Sequence, residues 1–400
     1  MSWSRRSALR NVNVFAVMAL FSMASQSFCA TQDFELLDGE RVTFVGSTYI
    51  EREQRYGYWE HTLTSWWPER NITFRNLGWS GDTVWGEARA GFDTPREGYR
   101  RLVAQTLATK PTVIFIGYGT NESFAGKAGL AKFEAQLNRL LDDLQSSKAR
   151  IVLLAPPMFE KEKWPGGDFE LRKADLELYT HAIQQIAEKR RLRFVPEFCQ
   201  SGGPASPLTD DGMHLTPFGY WSSYTAFAAR LKTKDPNQFT LIGLDGVTAK
   251  RVVRTAVGGP SLPPKSPKGN DQFDSFVIAR NLKTGRYTLK IDGRAVYTAD
   301  ADTWMHPPEG RWVSVRQGPS VEQSEKLRQA IIAKNRLFFH RYRPQNDTYL
   351  FGFRKYEQGN NAVEIPQFDP LIARLEAQIA KLRVPVAHTY QLVPHQETKK

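Results

Sequence analysis

Cysteine is nearly absent from this chain of 400 residues, which holds two, Cys29 and Cys199. Cys29 falls in a segment expected to be cleaved off, leaving one thiol, so neither an intrachain disulfide nor a cysteine-built metal site can form. Gln26-Ser27-Phe28 before it does not resemble a lipid-attachment motif. Histidine is scarce as well, seven in all, and His61, His181, His306, His388 and His395 sit in no metal-ligand spacing, so no metal is expected. Long apolar runs are missing too. The longest, Val12 to Ala24, is interrupted by Asn13 and falls short of the ~20 residues that cross a bilayer, so no stable membrane span is expected after processing. It follows Arg5, Arg6 and Arg10 and precedes small residues before Thr31, the pattern of an export signal. Residues 1–30 therefore read as a signal peptide, and the protein is expected to be exported, to the periplasm or as a secreted product. Ser4-Arg5-Arg6-Ser7 leaves the general and twin-arginine routes both open. No repeat of solenoid length occurs.

What is present is an ordinary globular composition, 41% hydrophobic, with a formal charge of +12. The basic excess is spread along the chain. A nucleic-acid binder gathers its cations on one stripe with aromatics among them, and the nearest approach is Phe338 to Arg343, FFHRYR; no nucleic-acid partner is expected. Dispersed positive charge suits an anionic polysaccharide or an acidic envelope surface equally well. From Arg41 to about Lys232, short β-rich runs (Val42 to Val45, Ile72 to Phe74, Thr112 to Ile116, Ile151 to Leu154, Phe194 to Val195) alternate with longer helical patterns. That alternation predicts an α/β domain over 31–235 with a doubly wound parallel sheet and helices on both faces. After Asp235 the texture changes. Gly258 to Pro264 and Ser266 to Gly269 read as linker, and Phe276 to Ala279 with Tyr287, Leu289 and Ile291 at period two read as a small antiparallel β unit, within 236–320. Residues 321–400 read as a helical extension, whose last helix opens at Asp369-Pro370 and carries Leu371, Leu375, Ile379 and Leu382 on one stripe.

Ligands in parallel sheets bind beyond the carboxyl ends of the strands. The strand exits here supply Gly46-Ser47-Thr48, then Asn76-Leu77-Gly78-Trp79-Ser80-Gly81-Asp82-Thr83, then Gly119-Thr120-Asn121-Glu122, and last Asp211-Gly212-Met213-His214. Together these could form the parts of an acyl-transfer site. A hydroxyl needs a base to take its proton, the base needs a carboxylate to hold its tautomer, and the developing oxyanion needs fixed donors. Thr48, His214 and Asp211 fill the first three places, and the Gly78 amide with the Asn121 side chain fills the fourth. Each motif taken alone has a structural reading: Gly78 and Gly119 as turn glycines, Asn121 as a helix cap, Asp211 as part of a turn before the helix after Pro217.

In order and context, these four segments resemble the SGNH (GDSL-like) hydrolases, esterases, lipases and carbohydrate deacetylases on a flavodoxin-like sheet. The resemblance covers roughly residues 40 to 232. The second block fits in full, Gly119-Thr120-Asn121 fits the third with Glu122 where aspartate is usual, and Asp211 to His214 fits the last. The first block departs, with Ser47 for the aspartate and Thr48 for the nucleophilic serine. Threonine keeps the hydroxyl, but its methyl group restricts χ1 and crowds the line of attack. Ser47 is the alternative nucleophile, one residue out of register, and would require a remodelled turn.

The resemblance implies an exported esterase acting by acyl transfer without a cofactor, on a small-molecule or carbohydrate ester, with O-acetylated carbohydrate as the finer expectation. The rival is a catalytically silent domain that binds a glycan or a protein partner in the same cleft, and a third reading makes the extension the functional surface of a scaffold. Trp66, Trp67, Trp79 and Trp85 pose a choice between sugar stacking and core packing, Trp79 being best placed after Gly78. His340, Arg341 and Arg343 are candidate ligand contacts, or stitch the extension to the domain.

Overall fold

The computed structural model describes residues 34–196, 207–231, 240–247, 250–254, 257, 259–263, 275–306, 313–314, 317–357 and 361–396. The expected signal peptide and both cysteines lie outside these residues, as does Ser266 to Gly269 of the expected linker.

The first domain runs β1 (Arg41–Gly46), α1 (Thr48–Glu53), α2 (Tyr58–Trp66), β2 (Thr73–Asn76), α3 (Pro95–Ala108), β3 (Val113–Gly117), α4 (Gly126–Asp143), β4 (Arg150–Leu154), α5 (Phe169–Arg190), β5 (Arg193–Val195) and α6 (Pro217–Leu231). Its five strands are all parallel in the order β2-β1-β3-β4-β5. β3, Val113–Gly117, is buried at every position. A central parallel strand is covered on both faces, and so its sequence is a continuous apolar run rather than an alternation. One face of the sheet packs Phe44, Phe74 and Phe115 against Trp59 of α2 and Phe227 of α6. The other packs Val45, Ile114 and Ile116 with Phe133 and Leu137 of α4 and Tyr179 of α5. Order reverses between β1 and β3, because the chain leaves β1 for β2 on one side and returns to β3 on the other. The crevice at that reversal is where a doubly wound sheet receives its ligand. Gly46 and Gly117 are paired there. A Cβ on Gly46 would come within 2.2 Å of the Gly117 carbonyl oxygen, so the two chains approach this closely only because the position is glycine.

Beyond residue 235 come β6 (Thr240–Asp245), β7 (Lys250–Arg254), β8 (Ser275–Arg280), β9 (Arg286–Ile291), β10 (Arg294–Asp300), α7 (Ala301–Met305), β11 (Val313–Ser314), α8 (Pro319–Tyr342), α9 (Asp347–Leu350), α10 (Phe368–Leu382) and β12 (Ala387–Pro394). They form an antiparallel sheet β10-β9-β12-β7 and a smaller one, β11-β8-β6, around Leu244, Val277, Leu289, Trp304 and Tyr390. Two expectations are corrected. The β unit is not wholly antiparallel, since β6 and β8 pair in parallel. The segment after residue 321 is not wholly helical, since β12 inserts between β9 and β7. Leu392 pairs with Leu289 and both are fully buried, so the last described strand completes a sheet begun at β7. The described part of the expected linker is packed: the Gly259 carbonyl accepts from Ser324 (3.0 Å), the Pro260 carbonyl accepts from Trp221 Nε1 (3.0 Å), and Leu262 joins the first domain's core.

α8 docks on α2 and β2 through buried polar groups. Lys334 Nζ donates to both Glu60 oxygens (2.8 and 2.9 Å) and to the Phe74 carbonyl (3.0 Å), and Asn335 adds a bond to Glu60 (3.1 Å). His61 Nε2 meets Ser324 Oγ at 3.0 Å, and burial pushes the imidazole down to about 3, so it is neutral. No helix among the described residues is long and apolar enough to cross a membrane.

Candidate active site

Thr48 is the first residue of α1, separated only by Ser47 from the glycine that ends β1. Its Oγ1 accepts a hydrogen bond from the Gly81 amide at 3.1 Å. Ser47 is 1% exposed, its amide donates to the Gly117 carbonyl (3.1 Å), and its own carbonyl accepts the Ile50 and Glu51 amides that start α1 (both 3.1 Å). The structure therefore removes Ser47 as an alternative nucleophile, because it is enclosed in the strand-to-helix turn while Thr48 is partly open.

Gly78, the expected oxyanion donor, does not turn its amide toward Thr48. The Gly78 amide is already committed to Asn76 Oδ1 at 2.8 Å. A Cβ on Gly78 would lie 2.2 Å from the Glu51 amide nitrogen, so this glycine is needed for packing the turn against α1. The amide facing Thr48 is that of Gly81, whose φ of +74° turns the backbone through a region that favours glycine and whose Cβ position is open. Both are glycines of one block, and only the spatial relation to Thr48 separates them.

Asn121 follows β3 and makes no capping bond with its side chain, so its cap reading fails. Its Nδ2 donates to the Asp82 carbonyl at 2.8 Å. Gly81 and Asp82 are consecutive; Thr48 and Asn121 thus bond to neighbouring residues of one turn, which brings the Thr48 hydroxyl and the amide side chain to the same place. Buried Asp82 holds this turn from below by accepting from Arg89 Nε (2.7 Å) and Tyr118 Oη (2.9 Å). Glu122 ties the second and third blocks together, one oxygen accepting the Val84 amide and the other the Gly119 amide, both at 2.8 Å. Burial pushes its carboxyl up to about 7 against those two amide bonds.

Asp211 and His214 lie in the turn before α6. Asp211 Oδ2 meets His214 Nδ1 at 2.7 Å, and Oδ1 accepts the amides of Met213 (3.1 Å) and His214 (2.9 Å). Partial burial raises the Asp211 carboxyl, but the bonds from the His214 ring and the two amides outweigh it and hold the group below its ordinary value. An ionised carboxylate only accepts, so Nδ1 carries the proton and the lone pair of the neutral ring sits on Nε2, the arrangement a general base needs. Glu160 sets the turn by accepting from the Leu208 and Thr209 amides (3.0 and 2.8 Å), and Tyr220 Oη, in the first turn of α6, donates to the Tyr49 carbonyl beside Thr48 (2.9 Å). Neither Glu160 nor Gly81 was singled out by sequence. The second glycine of the fully matched block was the available signal for Gly81.

Of the candidate ligand contacts, Arg341 is paired with Asp369 (2.9 Å) and the His340 ring lies 6.3 Å from Phe368. Arg343 pairs with Glu51 (3.0 Å), and its guanidinium lies 3.8 Å above the centre of the Trp79 ring, over which Arg89 also lies at 5.2 Å. Trp79 is thereby covered by cations rather than presented as a stacking platform. A cavity of ≈ 810 Å³ opens beside it, bounded by Trp79, Arg101, Phe338, Tyr342, Tyr349 and Phe353. Thr48, Gly81, Asn121 and His214 do not border it.

The model of the GDSL-like lipase/acylhydrolase family matches residues 39–221. No curated protein matches the chain. Among solved structures, a gut microbial diltiazem-metabolizing enzyme is 13% identical with a TM-score of 0.64, over 90% of this chain and 99% of its own, so the likeness in fold includes the extension. An acetylxylan esterase from Geobacillus stearothermophilus is 20% identical with a TM-score of 0.40, over 50% of this chain and 98% of its own. An α/β hydrolase from the metagenome of Lake Arreo, Spain, is 18% identical with a TM-score of 0.38, over 49% of this chain and 96% of its own.

Proposed function

We propose that the protein, whose residues 39–221 match the model of the GDSL-like lipase/acylhydrolase family, is an exported esterase that transfers the acyl group of its substrate to Thr48 and then to water. The observation that carries the reading is the 3.1 Å bond from the Gly81 amide to Thr48 Oγ1. The amide thus borders the space that a carbonyl oxygen enters once an ester carbon comes into contact with that hydroxyl, and an oxyanion donor must lie within hydrogen-bond reach of that space. His214 takes the threonine proton through Nε2 and returns it to the leaving alcohol, Asp211 keeps the ring in the required tautomer and balances the imidazolium, and Gly81 with Asn121 Nδ2 stabilises the tetrahedral oxyanion. Deacylation repeats these steps with water as nucleophile. No cofactor enters.

The finer reading of the substrate is an O-acetylated carbohydrate. It rests on the export segment and the dispersed basic charge. The rival, a silent domain that binds a glycan or a protein, is favoured by one observation, threonine in place of serine.

The test is hydrolysis of p-nitrophenyl acetate and acetylated xylo-oligosaccharides by the mature protein beside Thr48→Ala, Thr48→Ser and His214→Ala. Turnover abolished in both alanine variants establishes acyl transfer, and a gain in Thr48→Ser measures what the methyl costs. An inert parent with an inert Thr48→Ser variant rules out the esterase and leaves the silent domain.

A further inference from the structure

The Trp79–Gly81 turn is held from outside the catalytic domain. Glu51 lies one helical turn after Thr48, and its Oε2 accepts the Ser80 amide at 2.5 Å. The same oxygen accepts from Arg343, the residue that ends α8, at 3.0 Å. The Arg343 guanidinium lies 3.8 Å from the Trp79 ring centre, and Tyr342 Oη donates to the Gly78 carbonyl at 2.8 Å. Two consecutive residues of the extension thus hold Gly78 and Trp79 directly and Ser80 through Glu51, and the next residue, Gly81, points its amide at Thr48. Glu51 is 4% exposed. A buried carboxylate needs partners of opposite charge: Arg55 lies 3.5 Å from Glu51 Oε1, and Arg343 serves Oε2, the oxygen that also fixes the Ser80 amide.

We propose that the extension belongs to the catalytic apparatus: Arg343 is a positioning residue that, through Glu51 and Trp79, holds the Gly81 amide on Thr48. This rests on the esterase reading for its catalytic consequence but not for the clamp itself. Planarity is part of the requirement, since one guanidinium serves the carboxylate and covers the indole at once, which a lysine ammonium cannot do to the same extent. An oxyanion donor displaced by a fraction of an ångström loses much of its effect in the transition state and little in ground-state binding.

The experiment compares the full chain with Arg343→Ala, Arg343→Lys and Tyr342→Phe, measuring kcat and KM on p-nitrophenyl acetate, thermal midpoint, and amide hydrogen exchange in the 77–84 segment. The expected result is faster exchange confined to that segment and a kcat loss of about ten-fold or more in Arg343→Ala at nearly constant KM. Arg343→Lys should recover part of the loss, and Tyr342→Phe, which keeps the ring and removes one bond, should show a smaller change of the same kind. A variant that exchanges faster there with kcat unchanged overturns the catalytic role, and unchanged exchange overturns the clamp. Should Arg343→Ala fail to fold, Tyr342→Phe and Arg343→Lys decide by the same criteria. If the parent shows no turnover, the esterase reading falls; exchange alone then decides the clamp, a rise confined to 77–84 upholding it and an unchanged rate overturning it.

Discussion

Lys334→Met cuts the extension's main polar anchor and shortens the side chain only by its terminal nitrogen. Lys334 is 1% exposed and Glu60 4%, and the lysine makes three contacts of 2.8 to 3.0 Å, two to Glu60 and one to the Phe74 carbonyl at the edge of the parallel sheet. Burial already pushes the Glu60 carboxyl up, against the pull of Lys334, and pushes the Lys334 ammonium down. With the cation gone, Glu60 is left with Asn335 and rises further. Breaking such a pair costs ~3–5 kcal/mol while the carboxyl stays charged. At low pH, Glu60 escapes by taking a proton, and the deficit shrinks to the lost bond to the Phe74 carbonyl, about 1 kcal/mol. The sign follows from a folded-state pKa above the unfolded one: stability is complete below the unfolded value and is lost as pH rises through the folded one. Urea unfolding followed by circular dichroism should therefore show a deficit of about 1 kcal/mol at pH 4.5 and about 3–5 kcal/mol at pH 8. Lys334→Met/Glu60→Leu should recover most of the loss at pH 8. An equal deficit at both pH values, or less than about 1 kcal/mol at pH 8, would refute the view that this buried pair anchors α8.

Asp211→Asn should keep the fold and lower kcat by ~10²–10⁴-fold, because the amide favours the wrong imidazole tautomer; initial rates beside an unchanged melting curve check it. Asn121→Ala should lower kcat by about 10²-fold with KM little changed, measured on the same ester. Gly78→Ala should act on stability first, since its Cβ meets backbone at 2.2 Å, and a thermal scan should show a variant that is unfolded or markedly less stable. Burial pushes both Glu53 and Glu122 from 4.5 up to about 7. Their contribution to stability is complete below about 4.5 and is lost as pH rises through about 7, roughly 3 kcal/mol each at the limit. Urea midpoints of Glu122→Gln between pH 5 and 8 should fall less steeply with pH than the parent's.

The sequence by itself determined the parallel sheet and the placement of the site. Short continuous apolar runs such as Val113–Gly117, alternating with longer helical patterns, read as strands covered on both faces, and the first three polar blocks follow such runs closely, so both are local facts of the chain. The Asp211–His214 dyad was legible for the same reason, its members being three residues apart in one turn. Tertiary structure decided whatever depended on which group faces which. Gly78 and Gly81 carry the same chemistry, and only the fold shows that one amide is taken by Asn76 while the other reaches Thr48. Ser47 and Thr48 are both hydroxyls, and enclosure in a turn separates them. The strand Ala387–Pro394 shows its burial alternation at His388, Tyr390 and Leu392, yet its partners are β9 and β7, and no local pattern names a partner so distant. For Arg343 the sequence left ligand contact and stitching of the extension both open; its partner Glu51 lies 292 residues away along the chain, so only folding could show that it is engaged.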